Sequence, residues 1–189
     1  MKKAFILCLV IIIATILGSM YGVLHDHITY SISKEYYTKF KFIQFGFEDW
    51  GLGQNINTIQ SPEIIMNNPR IGVTIVGILA TWWVGLIIGI FLSITGLIHS
   101  NHKRMFYITM KALFLTLGIS LLTSFLGFLY GKLFLLETST NWYLPNNLIH
   151  HKQFVLVGCI HNFSYLGGLV GLLVGIIFSI RQKAKIRIN

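Results

Sequence analysis

The amino-acid sequence predicts an all-α membrane protein, a four-transmembrane-helix bundle with an aromatic-rich extracytoplasmic segment between its first and second helices. Three observations carry this expectation. The chain of 189 residues is 54% hydrophobic and only 11% charged, with a mean hydropathy of +0.69, whereas soluble domains carry about 25% charged residues. Four stretches, 4–24, 71–98, 112–131 and 154–180, contain no Asp, Glu, Lys or Arg, and roughly 20 apolar residues suffice to cross the hydrocarbon core of a bilayer. The basic residues between those stretches are distributed unequally, as membrane orientation requires.

The elements follow in order. Lys2 and Lys3 precede the first stretch like the start of a signal peptide, but its apolar run exceeds the roughly 7–15 residues of a signal h-region. No small-residue cleavage site stands near Leu17–Gly22, and Cys8 lacks the surroundings of a lipoprotein cysteine. An uncleaved anchor is expected. The outer segment, 25–70, is too long for a turn. Alternation over Ile28–Ile32 and Lys39–Phe42 has the period of a strand. The competing and preferred reading is an interfacial segment, with Tyr30, Tyr36, Tyr37, Phe40, Phe42, Phe45 and Phe47 at headgroup level and the lysines reaching water. An isolated hairpin is marginal in water. Ser61-Pro62-Glu63 reads as a helix start that should end near Asn68, before Pro69. The second span carries Trp82-Trp83, to which no function is assigned. An inner loop (99–111), the third span, an outer loop (132–153), the fourth span and a basic tail (181–189) complete a single integral membrane domain without repeats.

Small residues recur at helical spacing within the spans: Thr81, Gly85, Gly89, Ser93 and Gly96; Thr116, Ser120, Ser124, Gly127 and Gly131; Ser164, Gly167, Gly171 and Gly175. Lipid supplies no hydrophobic drive for helix association, so close approach and interhelical hydrogen bonds must hold helices together. These stripes are expected inside the bundle, either as packing surfaces or as the lining of a path for a small solute. Wholly uncharged spans disfavour an ion pump or proton-coupled carrier, which needs ionisable groups in the membrane.

Lys2, Lys3, Lys103, Arg104, Lys111, Arg181, Lys183, Lys185 and Arg187 fall on one side with no acid, and the remaining six basic and six acidic residues fall on the other. Both termini are therefore expected in the cytoplasm and segment 25–70 outside. The net charge of +9 is accounted for by topology and anionic lipid, and nucleic acid is not expected as a partner. Cys8 and Cys159 form no C-x-x-C and read as small apolar side chains.

The seven histidines carry the remaining chemistry. His99 and His102 lie among cations, which disfavours a metal. His25 and His27 form an H-x-H pair at the outer end of the first span, pointing to one side if the backbone is extended. His150 and His151 stand at the outer end of the fourth. His161 lies within that span, in His161-Asn162-Phe163-Ser164-Tyr165-Leu166-Gly167-Gly168. An imidazole at that depth needs a hydrogen-bond partner and is a functional candidate. Asn162, Ser164 and Tyr165 are the polar neighbours expected to serve it. The plain reading is a neutral His bracing the bundle. The functional reading gathers His25, His27, His161, His150 and His151 around a transition metal (Zn or Cu) or haem, with Asp26, Glu48, Asp49, Glu63 and Glu137 as further ligands or supports. A haem pair is the weaker version, since only His161 lies clearly inside a span. Hydrolase nucleophile elbows, phosphate loops and dinucleotide fingerprints are absent from the sequence.

The stretches HDHITYSISKEYYTKFKF (25–42) and HNFSYLGG (161–168) resemble those of an uncharacterised family of small multi-pass bacterial membrane proteins. That resemblance implies a four-span layout in the bacterial inner membrane and no activity. The expected function is a non-enzymatic membrane protein of unknown process, acting through its outward cap, a membrane-protein partner or a homo-oligomer in the lipid bilayer. The alternatives are a metal- or haem-dependent membrane enzyme or redox protein, and a small-solute permease.

Overall fold

A computed structural model of the chain describes residues 2–135, 142 and 144–184. Glu137 and the tail residues 185–189 lie outside the described residues. Among the described residues, four helices are long and apolar enough to span a membrane. They are α1 (Lys2–Ile32), α3 (Pro69–Gly96), α4 (His102–Tyr130, prolonged by a π-helical turn, Gly131–Leu135) and α5 (His151–Ala184). Between α1 and α3 the chain makes a π-helical turn (Tyr37–Lys41), a short α2 (Phe42–Gln44) and the strands β1 (Gln54–Asn55) and β2 (Ile64–Ile65).

Helix α1 runs eight residues past the uncharged stretch that anticipated it. The alternation over Ile28–Ile32 is helical, not extended, because burial there follows a different period. His25, Asp26, Thr29, Tyr30 and Ser33 are buried, a spacing of three to four that marks one helix face. Ser33 then accepts a hydrogen bond from the N–H of Tyr36 and opens the next turn. Ser61-Pro62-Glu63 starts no helix. The carbonyl of Glu63 accepts from Ile56 N, and its N–H donates to Asn55 Oδ1, so this backbone is committed to the β1–β2 ribbon, paired Gln54 with Ile65 and Asn55 with Ile64. A hairpin thus exists in the outer segment, but not at the alternating stretches. Pro69 begins α3 rather than ending a helix, where its missing N–H costs nothing. Asn101 caps α4 by accepting from Arg104 N.

The bundle consists of two tight antiparallel pairs. In the first, Gly85 of α3 lies so close to Ala14 of α1 that a Cβ would fall 2.5 Å from its carbonyl oxygen, and Gly77 meets the Val23 backbone at 2.7 Å in the same sense. In the second, a Cβ on Gly171 of α5 would fall 2.8 Å from the Thr116 carbonyl oxygen, and one on Gly127 of α4 would meet Phe163. The small-residue stripes are therefore helix contacts. Gly18 and Gly22 of α1 complete the first seam. The two pairs meet through Ala14, Ile88, Leu92, Ala112, Leu113 and Leu172.

The segment after α1 forms a packed cap over one end of the bundle. Tyr37, Phe42, Phe47 and Ile64 are fully buried in it, against Val73, Val76, Phe154 and Val157. Each such burial contributes roughly 1.5–3 kcal/mol relative to exposure to water. These aromatics face inward, and so do two lysines expected to reach water. Lys39 pairs with Glu35 and donates to the Asn147 carbonyl at 2.7 Å. Lys41 donates to Gln44 and lies over the Phe40 ring; burial pushes its ammonium below the ordinary lysine range. Glu35 ties the cap to the start of α5 by accepting from the N–H groups of Ile149 and His150. Burial opposes its ionisation, but Lys39 and those two N–H groups outweigh it and hold the carboxyl at about 2.

Candidate metal centre

Where the cap meets the bundle, α1 and α5 bring three ionisable side chains together: His25, Asp26 and His161. Their ligating atoms all lie within 4.8 Å of one another, and all three residues are buried. Asp26 continues the stripe of small residues begun by Gly18 and Gly22, at i+4 and i+8 on one face. This stripe points at the rest of the bundle, so the acid is delivered to the interior by the same periodicity that packs α1 on α3.

The hydrogen bonds define what can sit between these groups. Nδ1 of His161 is 2.9 Å from the carbonyl of Val157. A carbonyl only accepts, so Nδ1 carries the proton. Nε2 of the same ring faces Oδ1 of Asp26 at 3.2 Å. In a neutral imidazole that places a lone pair against a carboxylate oxygen, which is repulsive. The contact is favourable only with a cation between the two atoms, either a proton or a metal ion. His25 also faces this carboxylate, but its other nitrogen meets a hydroxyl that can donate or accept, so either tautomer fits. Its Nε2 meets Ser124 Oγ at 3.1 Å, and its Nδ1 stands 3.5 Å from the same Oδ1. Both remote ring nitrogens are thus held by a carbonyl or a hydroxyl, the support that metal-binding histidines usually have. With metal–ligand bonds of about 2.0–2.2 Å in tetrahedral geometry, neighbouring donors lie about 3.4 Å apart. The two edges to Asp26 Oδ1, 3.2 and 3.5 Å, fit that value, and all three donors lie within 4.8 Å. The second oxygen, Oδ2 of Asp26, is buried without a hydrogen-bond partner, which costs about 1–3 kcal/mol unless something binds it.

Aromatic rings enclose the cluster. Tyr36 from the cap stacks on His161, with ring centroids 5.0 Å apart, and Tyr21 stacks on His25 at 5.7 Å. Burial pushes the Tyr36 phenol well above its ordinary range, so it stays neutral. The Tyr21 hydroxyl bonds Ser164 Oγ at 2.6 Å and accepts from Ser120. Beneath lies a cavity of roughly 60 Å³, bordered by His25, Asp26 and His161 at one end and by Ala14, Ile88 and Leu113 at the other. It has room for a small ligand or a few waters beside the cluster.

The other histidines are elsewhere. His27 follows His25 by two residues on a helix, which turns it about 200° away. Its Nε2 bonds Thr74 Oγ1 of α3, and its Nδ1 meets Arg70. The H-x-H pair diverges because the backbone is helical, and a guanidinium beside His27 repels a metal. His150 is exposed and contacts Glu35, and His151 is exposed. Both precede His161 by ten or more residues, about 15 Å along the axis. Glu48 and Asp49 are exposed, and Glu63 belongs to the cap, near Lys39 and Thr38. Asn162 is exposed, Ser164 serves Tyr21, and Tyr165 borders the cavity. Haem does not fit between the two imidazoles, which meet edge to face with centroids 4.7 Å apart. Tyr36, Tyr21, Ser124 and the Val157 carbonyl had not been singled out as parts of the site. The one signal for them was the helical stripe Gly18-Gly22-Asp26, which extends α1 past His25.

No protein-family model, curated protein or solved structure matches this chain.

Proposed function

We propose that this is a multi-pass membrane protein of the bacterial inner membrane that binds a divalent first-row transition metal at His25, Asp26 and His161. Both termini are cytoplasmic in this reading, and the aromatic cap faces outward. Nine basic and no acidic residues at the two ends of the chain and over the first part of α4, His102 to Lys111, support the orientation. One observation carries the metal assignment: His161 has its only N–H committed to Val157, so the gap between Nε2 and Asp26 calls for a cation. Two imidazoles and one carboxylate suit Zn(II), and equally the facial site of ferrous iron. The cavity leaves a coordination position for a small ligand, as a catalytic site needs and a purely structural one does not. Such a metal acts as a Lewis acid or activates a bound water; Tyr36 and Tyr21 keep bulk water out.

A second reading is favoured by the same gap. A proton in place of the metal gives a buried Asp–His pair that braces α1 against α5, and the protein then acts without catalysis through its cap. The permease reading has less support: Thr81, Thr116, Ser120 and Ser164 of the stripes border the cavity, but that cavity is only roughly 60 Å³ and the Leu92–Ala112 cluster packs beyond it. Elemental analysis of detergent-purified protein decides between metal and proton. About one equivalent of Zn or Fe, lost in His161→Ala and Asp26→Ala but kept in His151→Ala, is the expected result. Metal-free protein after purification without chelators and incubation with each ion overturns it.

A further inference from the structure

The end of the bundle opposite the cap gathers positive charge that no acid of the chain neutralises. Lys3 stands at the start of α1, Arg104 in the first turn of α4 and Lys183 in the last turn of α5. They meet around the connection between α3 and α4. The Lys3 ammonium donates to the carbonyls of Leu97 and His99, and Arg104 donates through Nη2 to the carbonyl of Gln182 at 3.1 Å. His99 in turn is held by Ser179 of α5. Arg104, Lys183 and Lys3 each lower the pKa of His99, so their fields overlap there. Carbonyls at helix ends satisfy part of this demand, but they carry only partial charge. An ammonium has three N–H groups and a guanidinium five, so both cations keep donors in reserve. Arg104 Nε is buried with no acceptor, and His99 Nδ1 is buried with no partner. Every carboxylate is remote. Asp26, Glu35, Glu48, Asp49 and Glu63 belong to α1 beyond its middle or to the cap, and Glu137 follows the far end of α4 in sequence. From Lys3 to Asp26 is roughly 35 Å along α1.

We infer that this end of the bundle binds a phosphate group through Lys3, Arg104 and Lys183, carried either by a lipid headgroup or by a free phosphate. The ligand class follows from charge and position. Three cations from three helices exceed what one carboxylate can neutralise, whereas a phosphate offers more acceptor oxygens and pairs well with both guanidinium and ammonium groups. Lys183 is exposed, and Lys3 and Arg104 are half-buried, so the anion approaches from outside the bundle. Two membrane-spanning helices begin and two end at this level, where basic side chains between spans meet lipid phosphates. One anion there would join α1 of the first helix pair to α4 and α5 of the second, at the end that has no cap to join them. The inference does not depend on a metal at His25, Asp26 and His161.

The test is calorimetric titration of full-length protein in dodecylmaltoside with inorganic phosphate, dihexanoyl phosphatidic acid and dihexanoyl phosphatidylcholine. Both anionic probes or one of them should bind, and the phosphatidylcholine at least tenfold more weakly than the phosphatidic acid. Phosphatidic acid binding tenfold tighter than inorganic phosphate assigns the site to a lipid headgroup; equal binding assigns it to free phosphate. Arg104→Gln should weaken the tighter probe at least tenfold. Where that variant does not fold, the exposed Lys183→Gln is read in its place. Lys103→Gln removes the same charge from the neighbouring exposed residue, and should stay within twofold of the parent protein. Metal content should be the same in all three variants. Absence of binding by both anionic probes overturns the inference. So does equal weakening in Lys103→Gln, which would show diffuse surface charge rather than a site, and so does phosphatidylcholine binding as tightly as phosphatidic acid.

Discussion

One end of the bundle buries two histidines and the other buries one, and they treat them in opposite ways. At the capped end, His161 and His25 face the carboxylate of Asp26. At the other end, His99, in the connection between α3 and α4, is 1% exposed and bonds Ser179 Oγ through Nε2. Its Nδ1 has no partner. Burial lowers its pKa, and Arg104, Lys183 and Lys3 lower it further. The lesson is that burial alone does not make a histidine a metal ligand. The sign of the nearest charge decides whether a cation is drawn in or kept out. Arg104, Lys183 and Lys3 make the uncapped end unfit for a metal.

Removing the acid should have the largest effect. Asp26→Ala leaves two imidazoles with no carboxylate and makes the capped end resemble the other. Loss of one member of a buried pair typically costs about 3–5 kcal/mol, so thermal unfolding in detergent should shift clearly downward, together with loss of metal. An unchanged midpoint would show that the Asp26–His161 contact does not brace α1 against α5.

Next comes the cap. Glu35→Gln removes the charge that receives Lys39, Ile149 and His150, and should cost about 1–3 kcal/mol. The pH dependence has a definite sign. The folded carboxyl titrates at about 2 against an ordinary 4.5, so its contribution is present above 4.5 and is lost as pH falls toward 2. The Gln variant should lack that acid-dependent loss of stability, read from unfolding midpoints between pH 5 and 2.

His99 gives a smaller effect in a different window. Its folded pKa lies below the ordinary 6.5, so the unfolded chain takes up the proton first. Stability therefore falls as pH drops below 6.5. His99→Gln should flatten that decline between pH 7 and 5. If the decline persists in the variant, the histidine is not its source. The smallest change is expected for His27→Ala. It loses the Thr74 and Arg70 contacts at the edge of the α1–α3 seam, about 1 kcal/mol, and metal content should not change. Lost metal there would return His27 to the centre.

These residues also show what could be read in advance. Four apolar helices were legible because lipid imposes length and apolarity on each helix independently, with no reference to partners. The stripes were legible as contacts because close helix approach needs small residues at fixed spacing. His161 was legible as a centre of interest because an imidazole inside an apolar run is costly without a partner. Its partner was not. Asp26 and His161 are 135 residues apart, and local pattern carries no information on which helix faces which. The H-x-H pair misled for a local reason: spacing of two means one side on a strand and opposite sides on a helix, and the tertiary packing of Thr29 and Tyr30 chose the helix. The outer aromatics read as interfacial because composition cannot distinguish a ring facing lipid from one facing another ring. By itself the sequence determined the number, length and small-residue faces of the helices, each a property of one segment in one solvent. Only the tertiary structure decided that α1 seats on α3 and α4 on α5, and that one acid stands between two histidines. Those are relations between segments, set by how the faces pack.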